Sequence, residues 1–282
     1  MKSLNSLKQA LAKKQKIVVM LAPSFVADFD YPEIIYQLKA LDFDKITELT
    51  FGAKMINREY HRILEESEKS GKKELFIATV CPGVVSFIKT KYLQYAKNLM
   101  SVDSPMIATA KICKKIYPKH KVCFISPCEF KKQESQDSEY VDFCIDYNEL
   151  RKLIKENKKP IKKSKTGFDK FYNDYTKIYP LAGGLSKTAH LKGVLKPGEE
   201  IKIDGIFEVE KFLKNPKKEV SFMDITFCKG GCLGGPCILN NNLKDKKEKL
   251  MHYLEVAKEE KIPKGREGLV EKAKGISFLK RY

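Results

Sequence analysis

A chain of 282 residues is long enough to close one large domain or two small lobes over a substantial core. Its 43% apolar and 32% charged residues exclude a disordered chain. No apolar run approaches the roughly 20 residues that a bilayer span needs. Lysine and arginine number 54 against 36 acidic residues, a net charge of +18. The one dense basic run, Arg151 to Lys165, has no interleaved aromatics and no recognisable readout motif. Nucleic acid is therefore not expected as a partner. A positive surface of this size favours encounter with an acidic protein instead. The N-terminal residues lack the apolar core and cleavage site of a signal peptide, so the expected location is the cytoplasm.

Taken in chain order, residues 2 to 14 form an amphipathic helix and Lys16 to Ala22 a buried strand that stops at Pro23. Pro32 to Leu41 is helical, and Lys45 to Phe51 is a strand closed by Gly52. Met55 to Ser70 has helical spacing, with Gly71 as its stop. Glu74 to Val80 is a strand running into Cys81-Pro82-Gly83. Helices over Val84 to Asn98 and Met106 to Tyr117 follow. Lys121 to Ser126 is a strand running into Pro127-Cys128, Tyr140 to Ile145 a short strand, and Asn148 to Lys158 a helix. The basic stretch around Pro160 marks a boundary between an N-terminal α/β lobe, 1–160, and a second lobe, 161–282. Beyond it come a helix from Phe168 to Tyr179, a glycine turn at Gly183-Gly184, a loop at Lys196-Pro-Gly198, a strand from Val220 to Thr226, a lysine-rich helix over 243–260, and a weakly patterned tail from Pro263. This alternation predicts an α/β fold with largely parallel sheets, whose ligands sit outside the carboxyl ends of the strands.

Cysteine is placed in that same direction. Cys81, Cys128 and Cys228 each follow a predicted strand, and Cys232 comes four residues after Cys228 in the decapeptide CKGGCLGGPC. In a reducing compartment such thiols point to metal or catalysis rather than to disulfides. Soft thiolates suit iron–sulfur clusters or zinc, and the dispersed spacing together with GGCLGG favours a cluster that backbone N–H groups can approach. Cys113, Cys123 and Cys144 lie in apolar patterns and read as core residues. Cys237 is left open between a spare ligand, a neighbouring thiol, a redox-sensitive site and plain burial.

Three segments resemble, in order, the signature segments of the catalytic domain of the iron-only (FeFe) hydrogenases. Thr79-Val-Cys-Pro-Gly83 is similar to a Thr-Ser-Cys-Cys-Pro pattern, and Ser126-Pro-Cys-Glu-Phe-Lys-Lys-Gln-Glu134 to Met-Pro-Cys-x-x-Lys-x-x-Glu. Cys228-Lys-Gly-Gly-Cys-Leu-Gly-Gly235 is similar to a Cys-x-x-x-Cys pattern followed by glycines. Leu181-Ala-Gly-Gly184 resembles a glycine pair between the second and third segments. The resemblance implies two α/β lobes with an H-cluster in the cleft: a 4Fe-4S cubane joined through one cysteine to a two-iron subcluster carrying CO and CN. It implies Cys81, Cys128, Cys228 and Cys232 as cubane ligands, with Cys232 as the bridge. It assigns to Lys131 a hydrogen bond to a cyanide, and to Glu134 the support of that lysine.

The pattern also breaks. The position of the family's proton-relay cysteine is Val80, which carries no proton, and the relay glutamates fall at Tyr60 and Ile63, beside Glu59. Ser126 and Thr226 stand where the family has methionines. No ferredoxin-like C-x2-C-x2-C repeat precedes the first strand. Electrons are therefore expected from a separate carrier, an acidic ferredoxin-like protein. Three functions follow from the resemblance: slow interconversion of protons and electrons with dihydrogen, a cubane-only sensor or electron-transfer protein, or a cluster-assembly protein.

Overall fold

The structure is a computed structural model that describes residues 3–71, 74–163, 167–169, 175–259 and 263–282. Seven strands occur in the described residues: β1 (Ile17–Leu21), β2 (Lys45–Glu48), β3 (Phe76–Ile77), β4 (Lys121–Ser126), β5 (Phe143–Asp146), β6 (Glu200–Asp204) and β7 (Phe222–Thr226). An unbroken apolar strand such as β1 is stable only where both faces of a sheet are covered. It is accordingly central and fully buried. The first sheet runs β2-β1-β4-β5 and the second β3-β7-β6, with every named pairing parallel. Parallel pairing in both sheets agrees with the α/β expectation.

The sheets do not divide at Pro160. Strand β3 precedes that point, yet it pairs with β7, Phe76 opposite Phe222. Conversely, the helix Leu243–Glu259 buries Leu250, Tyr253 and Ala257 in the apolar cluster beneath β1. The two sheets therefore trade elements across the sequence midpoint. The C-terminal segment returns as well: Asp103 N–H donates to the Phe278 carbonyl at 2.8 Å, and Val102 bridges Leu279.

Several boundaries differ from expectation for local reasons. The second strand ends at Glu48, and the helix Thr50–Ser70 begins five residues earlier than its apolar spacing suggested. Its first turn packs so closely on the helix Pro105–Ile116 that a Cβ on Gly52 would lie 2.1 Å from Thr109 Oγ1. The predicted helix Val84 to Asn98 is instead a helix Pro82–Lys91 followed by a 3-10 turn, Leu93–Asn98. Residues 170–174 of the helix predicted from Phe168 to Tyr179 lie outside the described residues, and the described part holds a short 3-10 turn, Tyr175–Ile178.

That turn is held by a fully buried ion pair. Lys177 Nζ donates to Glu48 Oε2 at the end of β2 and to the Tyr253 hydroxyl at 2.8 Å. Tyr253 in turn donates to Glu48 Oε1 at 2.7 Å. One carboxylate thus fastens the C-terminal helix and the turn before Pro180 to the first sheet. Removing one partner would strand a charge in a dry interior, a cost of about 3–5 kcal/mol. Lys177→Met is therefore expected to lower the urea midpoint sharply. Lys177→Met combined with Glu48→Leu should recover much of that loss. Equal midpoints for the single variant and the parent would show that the pair contributes nothing.

Candidate metal centre

The carboxyl ends of both sheets open on one cavity. Its wall includes Ala22 to Ser24 after β1, Leu49 and Thr50 after β2, and Val80 to Pro82 after β3. Pro127 and Cys128 follow β4, and Thr226 ends β7. Cys81, Cys128 and Cys232 all line it. Cys228 stands behind them, near enough for its thiol to be affected by Cys128 and Cys81. The structure therefore brings the four predicted cysteines together, and Lys131 lines the same wall.

Each cysteine is placed by local backbone chemistry. Cys81 and Cys128 occupy the N-cap positions of the helices Pro82–Lys91 and Glu129–Gln136, both with extended backbone. The free N–H groups of a helix's first turn favour negative charge at such positions. At Cys128, the nearby Lys131 and Phe130 N–H groups favour the thiolate and pull its pKa down, while burial, the larger effect, raises it. The third segment makes a tight turn on glycines. Gly231 has φ +68°, and a Cβ there would lie 2.3 Å from the Pro180 carbonyl oxygen. At Gly235 a Cβ would meet the Pro127 carbonyl oxygen at 2.5 Å. Those carbonyls are the docking points of the turn: Cys232 N–H donates to Pro180 at 2.8 Å and Cys237 N–H to Pro127 at 3.2 Å. Glycine here permits a backbone approach that any side chain would block.

The predicted lysine and glutamate also meet. Lys131 Nζ donates to Glu134 Oε2 at 2.7 Å, and that oxygen accepts a second bond from buried Ser104 Oγ at 3.0 Å. Ser104 caps the helix Pro105–Ile116, so Glu134 is anchored by an element outside its own helix. Sequence reasoning did not include Ser104. Its only sequence signal is a serine directly before a proline at a helix start.

The rewritten positions have structural partners. Ser126 Oγ donates to the Cys128 carbonyl at 2.7 Å and accepts from the Cys128 N–H at 3.1 Å. Thr226 Oγ1 donates to the Cys228 carbonyl at 3.4 Å. Tyr60 is fully buried, its hydroxyl accepting from Thr79 N–H at 2.8 Å. Glu59 pairs with Arg62 at 3.0 Å on the outer side of the helix Thr50–Ser70. Val80 faces the cavity. His190, which follows the glycine pair, is exposed. Cys113, Cys123 and Cys144 are buried core residues, as expected. Cys237 is buried too, its Sγ donating to Glu129 Oε1 at 3.4 Å.

The donor set fits a polynuclear iron site. Three of the four cysteines line one apolar cavity, and the fourth, Cys228, lies within electrostatic range of them, its thiol pushed up to about 12 by burial and by Cys128 and Cys81. Cys232 keeps accessible surface, but that surface opens into the cavity, and burial followed by the neighbouring sulfurs pushes its thiol up strongly. Four thiolates cannot share such a space without a compensating cation, and soft iron is a suitable one.

Residues 15–236 match the family of the iron-only hydrogenase large subunit, C-terminal domain, and the chain belongs to that family. It is 27% identical to iron hydrogenase 1 of Clostridium pasteurianum over 82% of its own length. It spans about half, 52%, of that relative. Among solved structures it shares the fold of an apo form of the FeFe-hydrogenase HydA1 from Chlamydomonas reinhardtii, with a TM-score of 0.67 and 15% identity over 93% of this chain and 90% of that one. It also shares the fold of HydA(deltaEFG), an FeFe-hydrogenase studied for H-cluster assembly, with a TM-score of 0.66 and 16% identity over the same shares of the two chains.

The thiol environment is testable on the iron-free, reduced protein. An ordinary thiol reaches its maximal alkylation rate just above pH ~8.5. Because the Cys232 pKa is raised, its thiolate is scarce at neutral pH, and its alkylation should keep accelerating well beyond that point. Cys113 and Cys123 should stay unmodified until the chain unfolds. Mass-spectrometric mapping checks both; a Cys232 rate that levels off like a free thiol would contradict the shielded cavity.

Proposed function

We propose that this chain is an iron–sulfur redox protein that holds a 4Fe-4S cubane on Cys81, Cys128, Cys228 and Cys232, with a two-iron CO/CN subcluster beside it against Lys131. The observation carrying this reading is the convergence of Cys81, Cys128 and Cys232 on the cavity that Lys131 lines, with Cys228 in electrostatic range of them and Lys131 held by Glu134, itself anchored by Ser104. When bound, such a cluster supplies reversible exchange of electrons and protons with dihydrogen. The protein's own residues surround the sulfurs with apolar walls, anchor two of the four at helix N-termini, and offer an ammonium donor to an anionic ligand. Thiolate ligands of this kind persist in a reducing cytoplasm.

A second reading, a cubane without the two-iron group in a sensor, electron-transfer or assembly protein, is favoured by the apolar Val80 and the buried Tyr60, which offer no proton path at the family's relay positions. Anaerobic reconstitution with iron and sulfide is expected to give a brown, paramagnetic protein when reduced. Cys81→Ser, Cys128→Ser and Cys228→Ser should each lose most of the bound iron, whereas Cys237→Ser should keep it. After full maturation, infrared bands of iron-bound CO and CN separate the two readings. A colourless, iron-free parent would overturn both.

Electrons are supplied, on this reading, by an acidic ferredoxin-like carrier. Phe207 is 81% exposed, and Lys229, 75% exposed, directly follows Cys228. An exposed aromatic ring, together with an exposed ammonium group directly after a cluster cysteine, suits an acidic docking partner. Raising ionic strength from about 0.01 M to about 0.15 M shortens the screening length from about 30 Å to about 8 Å. Binding measured by calorimetry should weaken at least tenfold across that range. Unchanged affinity would remove the electrostatic partner.

A further inference from the structure

The chemistry proposed above consumes and releases protons inside an apolar cavity, so some group must carry them across the wall. Val80 cannot, Tyr60 is engaged by Thr79, and Lys131 is tied to Glu134. One other carboxylate lines the cavity. Asp224, in the middle of β7, is buried, and only its Oδ2 is engaged, accepting from Ser186 N–H at 2.9 Å and Ser186 Oγ at 2.7 Å. Its Oδ1 takes no hydrogen bond from the described residues. Tyr179 lines the same cavity, and its buried hydroxyl is likewise without a partner among the described residues. An unpaired acceptor and an unpaired donor thus stand on one wall, both among the residues of an apolar lining.

A way out exists on the same sheet. Lys202 of edge strand β6 stands opposite Asp224, and Glu200 lies two residues before it, so all three side chains share one face. Glu200 Oε2 pairs with half-exposed Lys202 at 3.1 Å, while its Oε1 is buried without a partner among the described residues. We propose that Asp224 is the proton carrier of the cavity, reloaded from solvent through Glu200 on β6, with the unpaired Tyr179 hydroxyl on the same wall. The Asp224 carboxyl gives its proton to a base in the cavity, becomes a carboxylate, and regains a proton from the Glu200 side. No electrons move in this step.

The groups facing Asp224 set its balance. Burial raises its pKa most, the two Ser186 bonds lower it, Glu200 raises it and Lys202 lowers it. Tyr60 and Tyr179 also lie within electrostatic range. The net direction is upward, so the protonated form persists to a higher pH than in an ordinary aspartate.

The proposal rests on the functional reading above, but its test does not need the cluster. Infrared difference spectra of the full chain without iron, recorded against pH, are expected to show an Asp224 band that titrates above the usual aspartate range, beside that of Asp103, whose pKa burial also raises. Asp224→Asn should abolish the Asp224 band and Asp224→Glu should move it; the second variant keeps the test readable if the first does not fold. On transfer to heavy water the band should shift at least tenfold more slowly in Glu200→Gln than in the parent. A parent spectrum without the band, or Asp224→Asn and Asp224→Glu spectra that both superimpose on it, would overturn the assignment of Asp224. Equal exchange in Glu200→Gln would overturn the route. A missing band in protein that loads iron normally sinks this proposal alone, whereas failure to bind iron sinks the functional reading and leaves the infrared result standing.

Discussion

Four sulfurs that repel one another as thiolates, gathered where water is scarce, are the constraint around which the molecule is built. Burial and mutual charge hold Cys228 and Cys232 in the protonated form. Binding a soft cation would replace those protons and turn the repulsion into attraction. The features that bring the sulfurs together are the N-cap placement of Cys81 and Cys128, the glycine turn fastened to the Pro127 and Pro180 carbonyls, and the buried Lys177–Glu48–Tyr253 cluster that fixes the approach to Pro180. Metal affinity and fold stability are coupled by the same residues.

The sheets make this possible by sharing their ends. Neither sheet alone supplies the ligands: Cys128 follows the first, while Cys81 and Cys228 follow the second. Since β3 lies early in the chain and pairs with β7 late in it, the second sheet cannot close until most of the polypeptide is present. The C-terminal helix then returns to cover the first sheet. A cavity formed this way is rigid on both sides, which suits a cofactor whose behaviour depends on fixed neighbours.

The strand–cysteine rhythm was legible because it is local. An apolar run followed by a cysteine needs no tertiary context to be read, and Cys81, Cys128 and Cys228 were found that way. The pairing of the cysteine motifs across two interlocked sheets was not legible, because β3 is only Phe76–Ile77 and its partner is far away in sequence. Strand β6, Glu200–Asp204, escaped because an edge strand with partly exposed side chains alternates weakly and begins next to a Pro-Gly turn. The helix Glu129–Gln136 escaped for a different reason. It buries only Glu134 and Ser135, so it has no apolar stripe, and it is held from outside by Ser104 bonding Glu134 and by Asp146 pairing with Lys132. In both cases tertiary contact supplied what periodicity lacked.

The departures from the family pattern divide by what their polar atoms do. Ser126, Thr226 and Tyr60 each carry a hydroxyl near the cavity, and each is engaged by backbone: the first two by the cysteine two residues on, the third by Thr79. A hydroxyl in that position shapes a turn and has little left to give a ligand. Asp224 and Tyr179 are the opposite case: Asp224 Oδ1 and the Tyr179 hydroxyl take part in no hydrogen bond among the described residues, although both residues line the cavity. A buried polar atom without a partner costs on the order of 1–3 kcal/mol. While nearby hydroxyls are satisfied internally, these two are not, and on the proposal above it is this wall rather than Val80 that carries protons.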